Sequence, residues 1–403
     1  MSVLCVPCRC RKIWSRICNK MSKHTKKGKL FRLMGLTLAS LGLLGSGVLA
    51  HHYFRVSSVQ ESWKPGHPPV EFTADVHTLE ILPLVNFHAI PESPSADVSY
   101  GFDEETSNYG SGDVPDASSG DSGNDTLEDR SSLRTEVGVS YLIRTDQGTI
   151  LFDLGHNPQK TNPSALVHNM EQTGVQWEDL DAIFLSHTHF DHVGELDTPG
   201  SPFYSYLETA KQSIPLYTPQ PLKLVPLRNY LEGMDAGEAS LVIQETPREQ
   251  EILPGIATTG GIPRQLFIGY IEEQALVINV RGKGLVLIVG CGHQTLERLL
   301  IHVRKTFSQP IYGIVGDLHL PVPDGRMNPL GINGQRIFAS GEGPLHPLSK
   351  EDAQSDLERI KDLEPGLVAL GTHDSSDDVV RMFAEEFGER YRFVRVGEWI
   401  LVE

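Results

Sequence analysis

His187-Thr188-His189-Phe190-Asp191-His192-Val193-Gly194 follows directly on the apolar run Asp181-Ala182-Ile183-Phe184-Leu185-Ser186. The run reads as a buried strand, and the cluster begins where that strand stops. Three imidazoles and one carboxylate within six residues form a donor set that borderline metals such as zinc accept. Their spacing divides them. His187 and His189, two apart in an extended strand end, point to the same side and suit one metal. Asp191 and His192 lie in the turn that follows and face a second position nearby. Two metals about 3.5–4 Å apart can share a bridging hydroxide, which is a nucleophile at neutral pH.

On either side of this stretch, apolar runs alternate with helix-length segments. Strands are expected at 78–86, 138–144, 149–154 and 181–186, with a helix at 163–173. Further on, strands are expected at 275–280, 285–290, 311–316 and 367–370, helices at 294–306, 349–362 and 377–387, and a closing pair near 391–395 and 398–402. Hairpin strands followed by βα units occur twice. That order predicts an α/β fold, an αββα sandwich of two mixed β-sheets with helices outside. No repeat with a period of about 20–50 residues is visible, which excludes a solenoid or a propeller.

The motif His187-x-His189-x-Asp191-His192 resembles the signature of the metallo-β-lactamase superfamily. The resemblance implies further residues at other strand ends, and the chain has candidates at each: Asp153 after Leu151-Phe152 in the preceding hairpin, and later Cys291-Gly292-His293 after Leu285–Gly290, Asp317-Leu318-His319 after Tyr312–Gly316, and Thr372-His373 after Leu370-Gly371. Within the superfamily, residues 78–403 are most similar to the group of archaeal dihydropterin–ribofuranosylaminobenzene phosphate synthases and related metal-dependent hydrolases. That likeness rests on Glu136-Val137-Gly138-Val139-Ser140-Tyr141-Leu142-Ile143, the GCGH, GDLHL and GTHDSS motifs, and Val396-Gly397. Three positions depart from the group: Glu195 stands for a Gly, Asp374 for a Cys and Asp317 for a Gly.

Carried over position by position, the resemblance implies one metal on His187, His189 and His293. A second would sit on Asp191, His192 and His373, with Asp317 bridging or His319 in its place. Asp191 and His319 are the residues implied for catalysis, and Asp153 is expected to orient a ligand histidine. Two divalent ions are expected, zinc first, with iron or manganese also suited to imidazole and carboxylate. Cys291 is expected to pack in the core, with a soft-ligand role as the other reading. The implied activity is hydrolysis of an ester, phosphoester, lactone or amide in a small-molecule substrate. An iron-dependent oxidoreductase or a pterin-type condensing synthase on the same fold is the alternative. Residues 321–348, rich in Gly and Pro, read as a cover for the site, with Arg326, Arg336 and His346 as anion contacts.

The 403 residues carry 35 Lys+Arg against 52 Asp+Glu, unevenly placed. Residues 1–50 hold ten basic residues and no acidic one, leaving 25 basic against 52 acidic beyond them. Such an acidic body excludes nucleic acid as a partner, because phosphate neutralisation needs clustered Lys and Arg. Residues 1–32 read as a basic cytoplasmic head. Residues 33–50 are eighteen residues without a charge, a signal-peptide core or a membrane anchor. By the positive-inside rule the rest is expected to be exported to the periplasm or the exterior, with membrane contact through 33–50 if that segment is uncleaved. Translation from Met1 or from Met21 fits either reading. Residues 51–76 read as a tether to a catalytic domain at 77–403. Residues 92–136, with twelve acidic residues against two basic ones, read as a disordered insertion in that domain.

Overall fold

The structure, a computed structural model, describes residues 46–64, 69–87, 112–113, 132–233, 240–326 and 332–402. Residues 1–57 and 58–403 form separate compact units. The basic head and most of the expected apolar segment at 33–50 lie outside the described residues. Residues 46–62 are helical, so the expected tether is helical over its first half. Among the described residues no helix is long and apolar enough to cross a membrane.

The second unit is built on two sheets. The first contains β1 (Leu79–Val85), β2 (Ser140–Thr145), β3 (Gly148–Phe152), β4 (Ala182–Phe184), β5 (Ile214–Thr218) and β6 (Leu241–Glu245) in that order, with the last strand, Ile400–Val402, on the outer edge of β1. The second sheet runs, in chain order, β7 (Gln250–Leu253), β8 (Ile256–Thr258), then, after a separate hairpin β9 (Ile262–Leu266) and β10 (Gly269–Glu273), β11 (Leu276–Val280), β12 (Gly284–Val289), β13 (Ile311–Gly316) and β14 (Leu367–Leu370). Its strand order is β14-β13-β12-β11-β8-β7. Both sheets are mixed: β3, β4, β5 and β6 are parallel neighbours, as are β12, β13 and β14, while the hairpin pairs are antiparallel.

Alternation along the strands explains the layers. In β12, Val286 and Ile288 face the other sheet, meeting Tyr141, Ile143, Phe152 and Phe184. Its Leu285, Leu287 and Val289 face outward onto the helices Leu296–Thr306, Lys350–Lys361 and Asp377–Phe387, against Leu299, Val303, Leu357 and Phe383. The outer face of the first sheet is covered likewise by Leu166, Met170, Phe203 and Leu207 from the helices Ala165–Thr173 and Pro202–Thr209. Each such side chain, fully buried, contributes about 1.5–3 kcal/mol over an exposed one. The result is the αββα sandwich the strand order predicts.

Three expectations need correction, and one stretch that carried none holds several strands. The far end of the tether is part of the domain: Val70 N donates to Thr306 O at 2.9 Å, Phe72 stacks on Phe307 at 5.5 Å, and Val76 is buried beside Val280. These apolar residues find partners more than 200 positions away, which local composition cannot show. The last residues of the acidic stretch are also packed. Leu133 and Glu136 are buried, Arg134 N donates to Asn169 Oδ1, and Arg134–Thr135 pairs with Gly112–Asp113; residues 92–111 and 114–131 lie outside the described ones. Only one strand closes the chain. Tyr391 makes a single bridge to Val368, and 392–399 are irregular, because the edge of β14 is met at one residue only. Finally, 195–274 holds β5 to β10, which short and partly polar segments had hidden.

Candidate metal centre

Parallel pairing puts the C-terminal ends of β3 and β4 at one end of their sheet and those of β12, β13 and β14 at one end of theirs, and each expected site residue lies just past such an end. The two groups of strand ends meet at Gly290, where any side chain would run into Ser186 Oγ. Loops at these ends are held in unusual backbone conformations: Asp153 and His319 have φ of 57° and 54°. For residues other than glycine such angles cost of order 1–3 kcal/mol and persist only when surrounding contacts hold them.

The imidazoles expected to hold one metal lie side by side. The ring centroids of His187, His189 and His293 lie 4.7, 5.1 and 4.8 Å apart, with interplanar angles of 76°, 83° and 80°. Three imidazoles gathered this closely are a donor set that an ion such as zinc accepts. Next to them, His373 Nε2 is 3.1 Å from Asp191 Oδ2, and His192 Nε2 is 3.9 Å from Asp191 Oδ1. His187 Nε2 and Asp191 Oδ1 are buried with no hydrogen-bond partner. Buried polar atoms without a partner are costly, and cations facing them would satisfy both. The donor set therefore fits divalent metal ions.

Asp153 supplies the orientation. It accepts from Ser186 N and Ser186 Oγ and lies 2.7 Å from His192 Nδ1, so that ring is held with Nε2 toward the centre. Burial alone would lower His373, but Asp374 and Asp191 raise it to about 9. Burial opposes ionisation of Asp191, yet His192 and His373 hold its carboxyl far below the ordinary range.

Asp317 is placed differently from the expectation of a bridging carboxylate. Oδ1 accepts from Leu318 N, His319 N and Ser375 Oγ, and Oδ2 from Asp374 N and Ser375 N. Five donors fill a carboxylate's roughly four lone-pair sites. It joins the loop after β13 to the loop after β14. His319 reaches the centre, its ring 4.3 Å from His293, with Nδ1 2.5 Å from Ser340 Oγ and Nε2 3.4 Å from Asp374 Oδ2. Asp374, noticed in the sequence only as a departure, is buried 3.3 Å from His373 Nε2.

Residues 332–348 of the expected cover touch the centre. Besides Ser340, Gln335 Nε2 donates to Asp374 Oδ1 at 2.7 Å, both from the π-helical turn Gln335–Ser340. Arg264 on β9 ties this turn to the metal motif, donating to His293 O and Ser340 O. Arg326 is not an anion contact: its guanidinium is spent on Thr372 O, Ser375 O and Asp377 Oδ1. Sequence reading also missed Glu273, whose carboxylate accepts from Cys291 N, Gly292 N and His293 N. Cys291 was expected in the core; it is buried, but its Sγ lies 2.9 Å from His192 Nε2. A strand-end Glu has no local signal, since its partners come from the next hairpin.

Glu195, the other departure, is fully buried below the motif. Burial pushes its carboxyl up to about 7, against the pull of Ser164, with Glu136 adding to the rise. Between about 4.5 and 7 the folded chain keeps a proton that the unfolded chain has lost, so Glu195 makes stability fall as pH rises through that window. Glu195→Gln is expected to be more stable than wild type at pH 8 by roughly 1–3 kcal/mol, and nearly equal to it at pH 5. Denaturant midpoints at both pH values test this; a difference independent of pH would refute it.

Residues 133–198 match the family model described as the Metallo-beta-lactamase superfamily. A 7,8-dihydropterin-6-methyl-4-(beta-D-ribofuranosyl)-aminobenzene-5'-phosphate synthase of Methanocaldococcus jannaschii is 22% identical over 305 residues, which cover 66% of this chain and 90% of that protein. An N-acyl homoserine lactonase of Bacillus cereus is 28% identical over 196 residues, 41% of this chain and 67% of that one. Among solved structures, a metal-dependent hydrolase of the beta-lactamase superfamily aligns over 81% of this chain and 99% of its own, at 16% identity and a TM-score of 0.48.

Proposed function

We propose that this chain, which belongs to the metallo-β-lactamase superfamily, is a dinuclear metal-dependent hydrolase of a small ester, phosphoester, lactone or amide. The observation that carries the reading is the perpendicular triad His187, His189 and His293 beside Asp191, His192 and His373. We assign one ion to each of these two groups and leave Asp317 out of the ligand set. Zinc suits the donors best, and iron and manganese are also compatible. Bound ions supply Lewis acidity and activation of water at such a centre. Asp153 fixes the His192 tautomer, and Glu273 holds the loop that carries His293. Asp191 takes up the proton of the attacking water, and His319, between Ser340 and Asp374, returns one to the leaving group. The cover at 332–348 selects the substrate, with Arg336 and His346 as its basic residues for an anionic group.

The test is a panel of phosphodiester, phosphomonoester, lactone and β-lactam substrates, given to full-length protein loaded with zinc, manganese or iron. Metal-dependent turnover of at least one class, abolished by a chelator and restored by metal, is expected. Stoichiometric metal with no hydrolysis of any class would count against the proposal. Activity with iron alone that consumes dioxygen would favour the oxidoreductase alternative. The basic head before residues 33–50 supports export of everything after residue 50. Fractionation of cells producing the chain, with protease protection of the catalytic domain, checks that placement.

A further inference from the structure

Resting on the metal-centre reading, we propose that Cys291 Sγ is a metal ligand, a thiolate common to both halves of the centre. Sγ belongs to two groups of potential ligand atoms that lie within 4.8 Å of one another, one with His187 and His293, the other with His192 and His373. A cysteine that only fills space sits among aliphatic side chains, yet Cys291 joins none of the three apolar clusters. Its neighbours are imidazoles. His192 Nδ1 is taken by Asp153, so it is Nε2, the metal-facing nitrogen, that lies 2.9 Å from Sγ. His187 is arranged in the same way: Ser186 Oγ sits at its Nδ1, and its buried Nε2 has no hydrogen-bond partner.

The backbone is built to turn this thiol inward together with His293. Gly292 has φ +86°, and a Cβ there would come within 2.7 Å of Leu318 Cα, so only glycine lets the turn pass. Glu273 accepts the three successive N–H groups of Cys291, Gly292 and His293, which fixes both side chains of the turn. On loading, the S–H bond breaks, a sulfur–metal bond forms and the proton leaves to solvent, with no change of oxidation state. A thiolate in the set shifts preference toward zinc, cobalt and iron and away from magnesium.

The experiment uses the full chain with Cys5, Cys8, Cys10 and Cys18 changed to Ser, so that Cys291 is the sole thiol. It is loaded with cobalt(II) and read by absorption and metal analysis. A thiolate-to-cobalt charge-transfer band in the near ultraviolet is expected, and its loss in the further variant Cys291→Ser. Visible d–d bands without a charge-transfer band would overturn the role of Cys291 while leaving the metal-centre reading in place. Failure to take up cobalt at all would overturn both. The first comparison does not depend on whether Cys291→Ser folds.

Discussion

Replacing Asp191 by Asn is expected to lower kcat by about 10²–10⁴-fold, the range for removal of a positioned general base. The side chain lies where the two halves of the centre meet, with Oδ2 against His373 and Oδ1 buried without a partner. Asparagine keeps the size and one oxygen but cannot take up a proton, so loss of a ligand and loss of a base are separable. Metal analysis of the same preparation separates them. Turnover that drops in proportion to lost metal would reduce Asp191 to a ligand. Normal metal content with normal turnover would remove it from the mechanism.

The second large effect is on stability. Asp317→Ala deletes a buried carboxylate that accepts from four backbone N–H groups and a serine hydroxyl, and leaves those donors unpaired. Hydrogen bonds to charged groups are worth about 1.5–3 kcal/mol each, and breaking a buried ionic network typically costs about 3–5 kcal/mol in total. A loss of about that size is expected in the chelator-treated protein, because the network joins two loops of the chain independently of any ion. Denaturant unfolding without metal measures it. If Asp317→Ala unfolded like wild type without metal and differed only when metal was present, the carboxylate would return to the ligand set as the bridge.

These two aspartates show what each level of description could supply. Asp191 was legible because its neighbours in sequence are its neighbours in space: a strand end and one tight turn fix where His187, His189, Asp191 and His192 point. Asp317 was not. It stands at a strand end like the others, but whether its oxygens face the centre or the backbone is decided by residues 374 and 375, in a different loop. Arg326 failed for the same reason, since its acceptors are on Thr372, Ser375 and Asp377.

By itself the sequence determined the strands and helices outside 195–274 that make up most of the two-sheet sandwich, and the histidine-bearing strand ends, because periodicity and strand-end motifs are local. Only the tertiary structure decided which carboxylates face the histidine cluster and which bind the backbone of neighbouring loops, and that Glu273, Ser340 and Cys291 lie against that cluster. Those assignments depend on hydrogen bonds between chain segments far apart in sequence, and the packing of the two sheets alone brings such segments together.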